Sequence, residues 1–167
     1  MSVLSDYSPA DQQLLRSSLS AAAVAVAASS IGKDAETASE GFAAASYILN
    51  SREQYLNNTL VGSVIYDLEE RVQNEGTFPD FEQQVNTPGS REVALDTLRR
   101  VSSLLAAKTT PGEAEGYKDW LMTISGVTAA GGKEGGGWFG WGAVQVNDAE
   151  KAALIQVADT LGLSMPE

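Results

Sequence analysis

The sequence predicts an all-α protein, a single compact bundle of about six helices over residues 1–167, with a loop rich in glycine and aromatic residues before the last helix. Apolar residues recur at helical spacing in successive segments, and most of these segments open with a residue typical of a helix N-cap. The only β-type segment covers residues 143–146, which is too short to form a sheet. Hydrophobic residues make up 43% of the chain and charged residues 20%, a composition that indicates a globular domain.

The first helix is predicted to start at Ser8, whose side chain can cap it while Pro9 takes the first helical position and Asp11 follows in the first turn. We expect Gly32 to end it. Its apolar residues at helical spacing are Leu15, Leu19, Ala22 and Val26. Because the helix is rich in Ala and Ser, a neighbouring helix is expected to approach its backbone closely.

The second and third helices are predicted over residues 34–55 and 58–73. The apolar face of the second helix is predicted to comprise Ala38, Phe42, Ala45 and Leu49. The third helix carries a broader apolar stripe formed by Leu60, Val61, Val64, Ile65, Leu68 and Val72. A polar connector follows, with Pro79 and Pro88 as helix breakers. Phe78 and Phe81 are expected to anchor this connector on the core.

The last three helices have clear start signals. The fourth begins at Ser90, and its apolar face comprises Ala94, Leu98, Val101 and Leu105. The fifth opens with the capping box Thr110-Pro111-Gly112-Glu113, ends at Gly131-Gly132, and carries on one side Tyr117, Trp120, Leu121, Ile124 and Thr128. The sixth is capped by Asn147 with Glu150 three residues later, and before Gly162 it presents Leu154, Val157, Ala158 and Leu161.

Composition excludes several classes of function. The chain has no cysteine and no histidine, which excludes thiolate nucleophiles, Ser-His-Asp triads and zinc sites of the HExxH type. The formal net charge of −11 disfavours nucleic acid and anionic membrane surfaces as partners, because both are bound by clustered Lys and Arg. We predict no metal and no cofactor. The N-terminus lacks the pattern of a signal peptide, and the uncharged segment 17–32 is too short and too rich in Ala and Ser for a membrane span, so we expect a soluble, acidic, cytoplasmic protein.

The stretch GGKEGGGWFGWG, residues 131–142, is the most unusual part of the chain. It contains G-x-G-x-x-G, but the dinucleotide fingerprint requires a preceding strand and an immediately following helix. A helix precedes this stretch instead, and bulky rings occupy the space that a diphosphate would need. We favour an aromatic clip that ties the last helix to the bundle, and the alternative is an exposed surface that recognises a partner. The candidate residues for ligand or partner binding are Lys133, Glu134, Gly135, Gly137, Trp138, Phe139 and Trp141.

Acidic and tyrosine side chains elsewhere are weaker candidates, and no catalytic residue is predicted. Asp67 and Glu70 share a helix face where a cation could bridge them, but a solvated helix surface is the commoner explanation, and Arg71 can pair with Asp67. Several aromatic residues fall on apolar or semi-apolar positions, where core filling is favoured over a pocket lining: Tyr47, Tyr55, Tyr66, Tyr117 and Trp120.

The C-terminal third resembles an uncharacterised family of bacterial all-helical proteins. The likeness lies in YKDWL at residues 117–121, in KEGG followed by WFGWG over residues 133–142, and in VQVNDAEKAAL at residues 144–154. The resemblance implies a compact all-α protein and no known activity, so it assigns no site residues.

The function that follows from these observations is non-catalytic. The sequence predicts a helical protein that acts through protein–protein interaction or self-association, and it favours a role other than that of an enzyme. The alternative is a small-molecule-binding domain with a pocket near the Gly/Trp-rich loop.

Overall fold

Seven α-helices and two short 3-10 helices form the part of the chain that the structure describes. The structure is a computed structural model that describes residues 1–29, 34–76, 80–131 and 146–164, with side chains omitted at 34–36. The α-helices are α1 Pro9–Ala27, α2 Asp34–Asn50, α3 Thr59–Glu75, α4 Phe81–Asn86, α5 Ser90–Lys108, α6 Pro111–Ala130 and α7 Asp148–Leu161. The 3-10 helices are Leu4–Asp6 and Ser51–Tyr55. The predicted all-α class is confirmed, with one helix more than the six or so expected.

Three helices start where the capping signals predicted. Ser8 accepts a hydrogen bond of 3.2 Å from the backbone N–H of Asp11, and Pro9 is the first residue of α1. The side chain of Thr110 caps α6 in the same way. At α7, Asn147 and Glu150 form the predicted capping box. These interactions satisfy backbone N–H groups that have no partner within the helix.

Helix α1 lies in the middle of the core. Every residue from 21 to 27 is buried, as are Leu15 and Leu19, so its C-terminal half is surrounded by protein. It packs most extensively against α5 and next against α6, and it also contacts α2, α4 and α7. Small side chains suit this position because they leave room for several neighbouring helices. The helix ends at Ala27, earlier than the predicted stop at Gly32, which lies outside the described residues.

Most predicted apolar faces are buried. In α3, Leu60, Val61, Val64 and Ile65 are buried, whereas Leu68 and Val72 are only partly covered. All the residues assigned to the inner faces of α5, α6 and α7 are buried, and Tyr117 and Trp120 of α6 have no solvent exposure. The long-range packing therefore follows the helical periodicity of the sequence in these elements.

The predicted face of α2 is wrong. Ala38 is exposed and the side chain of Phe42 is 77% exposed, whereas Ala43, Ala44 and Ile48 are buried. The small side chains of the buried face allow α2 to lie against α6, which it contacts more than any other helix. Helix α2 also ends at Asn50, and the chain continues to Tyr55 as a 3-10 helix.

The connector after α3 contains α4, a short helix that the sequence pattern did not predict. Asp80 caps it by accepting a hydrogen bond of 3.0 Å from the N–H of Gln83. The ring of Phe81 lies directly on Gly41 of α2, where an added Cβ would be 2.5 Å from the ring, so Phe81 is the anchor that we expected. The second expected anchor, Phe78, lies with Pro79 outside the described residues.

Two further predictions concern the β-type segment at residues 143–146 and the absence of a helix that could span a membrane. The segment 143–145 lies outside the described part of the chain, and Val146, which is described, belongs to no strand. Among the helices described, none is both long enough and apolar enough to cross a bilayer.

Candidate functional site

A groove with a volume of about 610 Å³ opens between α1, α3, α4 and α5. Helices α1 and α3 line it with a mixture of aliphatic side chains and polar or charged ones, while α4 and α5 add further hydroxyl and amide groups. Its lining includes Arg16, Leu19, Ser20, Asp67, Leu68 and Arg71. This volume lies within the range typical of small-molecule sites, roughly 300–1,000 Å³.

A smaller pocket of about 90 Å³ continues from the groove towards α2. The two spaces share Arg16, Leu19, Ser20 and Leu68 in their walls. Apart from these shared residues, the described lining of the smaller pocket contains no polar side chain and consists of Ala23, Gly41, Ala44, Ala45, Ile48 and Phe81. The absence of a side chain at Gly41 is what lets the ring of Phe81 close this end. The site is therefore a wide, mixed groove with a narrow apolar extension.

An ion-pair cluster lies on the wall of the groove formed by α1 and α3. Arg16 donates two hydrogen bonds of 2.8 Å, from Nε and Nη2, to the two carboxylate oxygens of Asp67. Arg71, one turn after Asp67, donates from Nε to the same carboxylate at 3.0 Å. The predicted pairing of Asp67 with Arg71 is confirmed, and Arg16 joins it from α1. Two guanidinium groups thus share one carboxylate at the groove.

Electrostatics keeps this cluster charged. The hydrogen bonds from Arg16, followed by the charges of Arg16 and Arg71, hold the pKa of the Asp67 carboxyl below its ordinary value, although partial burial opposes this. The same hydrogen bonds raise the pKa of Arg16. The groove therefore carries fixed charges near neutral pH.

The aromatic residues near α6 fill the core, as the sequence analysis favoured. Tyr117 and Trp120 are fully buried and meet edge to face, with ring centroids 5.4 Å apart. Tyr55 is partly buried and donates a hydrogen bond of 2.8 Å to Asp119. Burial raises the pKa of Tyr55, Tyr47 and Tyr117, so these phenols stay neutral under ordinary conditions. Tyr66 is the exception, because its side chain is exposed.

The residues predicted for ligand or partner binding cannot be placed. Lys133, Glu134, Gly135, Gly137, Trp138, Phe139 and Trp141 all lie within residues 132–145, outside the described part of the chain. Both the aromatic clip and the exposed recognition surface stay predictions. Glu70, considered as a cation ligand with Asp67, accepts a hydrogen bond from the Tyr66 hydroxyl instead. In the described ranges no three acidic side chains are grouped so as to hold a metal ion.

The groove itself was not predicted from the sequence, although one signal pointed to it. Arg16 is the only charged residue between Asp11 and Lys33, and the segment after it consists of apolar or small residues. A lone charge in such a helix needs a partner or a polar cavity. In this chain it has both, since it binds Asp67 and lines the groove.

No protein-family model, no curated protein and no solved structure matches the chain. The resemblance of the C-terminal third to a family of bacterial helical proteins stays a prediction.

Proposed function

We propose that this protein is a non-catalytic helical domain that binds a small molecule in the groove between α1, α3, α4 and α5. One observation carries the proposal, namely that a cavity of suitable volume combines a fixed cluster of charged side chains with aliphatic side chains and an adjoining apolar pocket. Apolar walls supply most of the free energy of binding at such sites, and a few polar groups orient the ligand. The cytoplasmic location expected from the sequence is part of this proposal.

The groove favours this function over protein–protein interaction, which ranked first on the sequence alone. Large exposed apolar side chains do occur, but those described lie on separate elements, for example Phe42 on α2, Tyr66 on α3 and Ile155 on α7. Single exposed apolar residues are normal on protein surfaces and do not by themselves define an interface. Interaction with a protein partner and self-association stay predictions.

A ligand screen with a blocking variant tests the proposal. A library of small metabolites is screened by thermal unfolding, since a ligand that binds only the native state raises stability by mass action. In Ser20→Leu the larger side chain projects where the groove meets the smaller pocket, so hits on the unmodified protein should lose their effect in this variant. Ser103→Leu, at an exposed position of α5, is the matched control and should keep the effect.

Two outcomes contradict the proposal. One is a library that contains apolar and acidic compounds and produces no stabilisation. The other is a set of hits whose effect is equal in Ser20→Leu and in the unmodified protein, which would place binding elsewhere. Light scattering across a range of protein concentrations tests self-association separately.

A further inference from the structure

We infer that the groove takes a small amphiphile with one carboxylate, in which Arg71 binds the carboxylate and the apolar tail runs past Leu68 into the pocket closed by Phe81. This inference rests on the proposed function and specifies the chemical class of its ligand. It rests on two observations. The guanidinium groups of Arg16 and Arg71 differ in how many hydrogen bonds they make within the protein, and the lining next to Arg71 is apolar.

Arg16 has most of its hydrogen-bonding capacity engaged within the protein. Its Nε and Nη2 both bind Asp67, and Nη2 also donates to Gln12 at 3.3 Å. Its side chain is only 22% exposed. A guanidinium held in this way fixes the position of Asp67 and leaves only Nη1 for a ligand.

Arg71 differs in its contacts and in its exposure. It donates to Asp67 through Nε alone, its side chain is 44% exposed, and it lines the groove. Within the described part of the chain its two terminal amino groups have no protein partner. These amino groups form a planar fork that matches the two oxygens of a carboxylate. Asp67 holds the guanidinium from one side, so the fork is oriented before a ligand arrives.

The surrounding charges favour a monoanion over a dianion. Glu75 also lines the groove, and no ion pair joins it to Arg71 in the described ranges. Arg16 and Arg71 are positive and Asp67 and Glu75 are negative, so Arg71 can pair with one negative charge of a ligand, and a second negative charge would meet no further excess of positive charge. The whole chain carries −11, which adds a general repulsion of anions. A phosphate monoester is therefore disfavoured relative to a carboxylate.

The lining next to Arg71 suits an alkyl chain. Leu68 lies one turn before Arg71 on α3 and is shared by the groove and the smaller pocket, as is Leu19 of α1. Beyond them the pocket is lined by Ala44, Ile48 and Phe81. An alkyl tail there would remove apolar surface from water on both the ligand and the protein, which is favourable in proportion to the area buried.

Titration with a matched series of ligands tests the inference. Decanoate, decan-1-ol and decylamine each have ten carbon atoms and differ in the group at the terminal carbon. Their affinities can be measured by calorimetry below the solubility limit of the alcohol and below the concentrations at which the acid and the amine form micelles. We expect decanoate to bind roughly tenfold more tightly than decan-1-ol, because charge-assisted hydrogen bonds are the stronger kind. Decylamine should bind most weakly of the three.

Substitution of Arg71 is the second test of the inference. In Arg71→Gln the affinity for decanoate should fall to that for decan-1-ol, whose own affinity should not change. Arg99→Gln removes the same charge from an exposed position of α5 that does not appear in the groove lining, and it should keep the preference for decanoate. Equal affinities for acid and alcohol, a preference for the amine, or an acid preference that survives in Arg71→Gln would each overturn the inference.

The outcomes separate this inference from the proposed function. If decan-1-ol binds and Ser20→Leu abolishes its binding, the groove is a ligand site whatever the head-group preference. If neither the series nor the metabolite library binds, the proposed function fails and the inference fails with it.

Discussion

Arg16 on α1 and Asp67 on α3 form a bidentate ion pair, with both hydrogen bonds at 2.8 Å and side-chain exposures of only 22% and 23%. The pair joins residues that are 51 positions apart in the sequence. An exposed ion pair contributes little to stability because water and salt screen it, but partial burial and a bidentate geometry both strengthen this one. The pair should therefore stabilise the fold as well as one wall of the groove.

Asp67→Asn tests this contribution. The amide keeps the size of the side chain but loses the charge that binds both Arg16 and Arg71, so the free energy of unfolding should fall by roughly 1–2 kcal/mol. Urea unfolding at neutral pH measures the change. Asp96→Asn is the control, since Asp96 pairs with Arg99 at 3.5 Å with both side chains at least 60% exposed, and it should leave stability unchanged.

The stability difference between Asp67→Asn and the unmodified protein should depend on pH. The pKa of Asp67 is lower in the folded state than in the unfolded chain, chiefly because of the hydrogen bonds from Arg16. Its stabilising contribution is therefore complete above the ordinary carboxyl pKa of about 3.9 and is lost as the pH falls through the lower, folded-state value. The stability difference between Asp67→Asn and the unmodified protein should shrink in acid. A difference that stays constant into strong acid would contradict the assignment.

Tyr117→Phe tests the buried phenol of α6. The hydroxyl donates to the carbonyl of Leu15 at 3.1 Å and shares a hydrogen bond with Ser18, also at 3.1 Å. Loss of these bonds should lower the free energy of unfolding by about 1 kcal/mol at neutral pH. Tyr66→Phe, which changes an exposed tyrosine in the same way, should have no measurable effect on stability.

Alkaline pH gives the second readout for Tyr117. Burial raises the pKa of this phenol above its ordinary value of about 10, so its contribution is present below pH 10 and is lost as the pH rises further. Tyr117→Phe should therefore lose less stability between neutral and strongly alkaline pH than the unmodified protein does. Some alkaline loss should remain, because the pKa values of Tyr47 and Tyr55 are also raised. An identical alkaline decline in both proteins would refute this account.

Ser51→Ala tests a hydrogen bond between the 3-10 helix Ser51–Tyr55 and α6. The indole N–H of Trp120 donates to Ser51 Oγ at 2.9 Å, and neither side chain is exposed. Alanine leaves the indole N–H buried without an acceptor, which should lower the free energy of unfolding by roughly 1–3 kcal/mol. As a control, Ser51→Ala is also made in the Trp120→Phe variant, which has no indole N–H. In that background Ser51→Ala should lower the free energy of unfolding by less. Equal costs in both backgrounds would show that the hydrogen bond contributes nothing.

Local signals in the sequence predicted much of the helical pattern. Ser8, Thr110 and Asn147 were identified because a cap needs only residues within one turn of each other. The pairing of Asp67 with Arg71 was predictable for the same reason, since one helical turn separates them.

Features that depend on distant residues were not predictable. The buried face of α2 was misassigned because alanine occurs on both sides of the helix, and contact with α6 decides which side is covered. The groove depends on the packing of four helices and on the pairing of Arg16 with Asp67. No pattern within a single segment encodes such an arrangement.

Gly116 and Gly62 occupy helices with different surroundings, so the same substitution should have opposite effects. An added Cβ at Gly62 in α3 meets no atom within 4 Å. Gly62→Ala should therefore raise the free energy of unfolding by roughly 0.5–1 kcal/mol, because alanine loses less conformational entropy in a helix. An added Cβ at Gly116 in α6 would lie 2.6 Å from Nδ2 of Asn58.

Asn58 cannot move away from that Cβ without a cost. Its Nδ2 donates to the carbonyl of Glu113 at 3.0 Å, and its Oδ1 caps α3 by accepting from the N–H of Val61 at 3.1 Å. Loss of an N-cap costs about 1 kcal/mol, and loss of the hydrogen bond to Glu113 adds to this. Gly116→Ala should therefore destabilise the protein despite the higher helix propensity of alanine. Urea unfolding of both variants measures the two changes, and a gain in stability for Gly116→Ala would show that Asn58 is not needed to join α3 to α6.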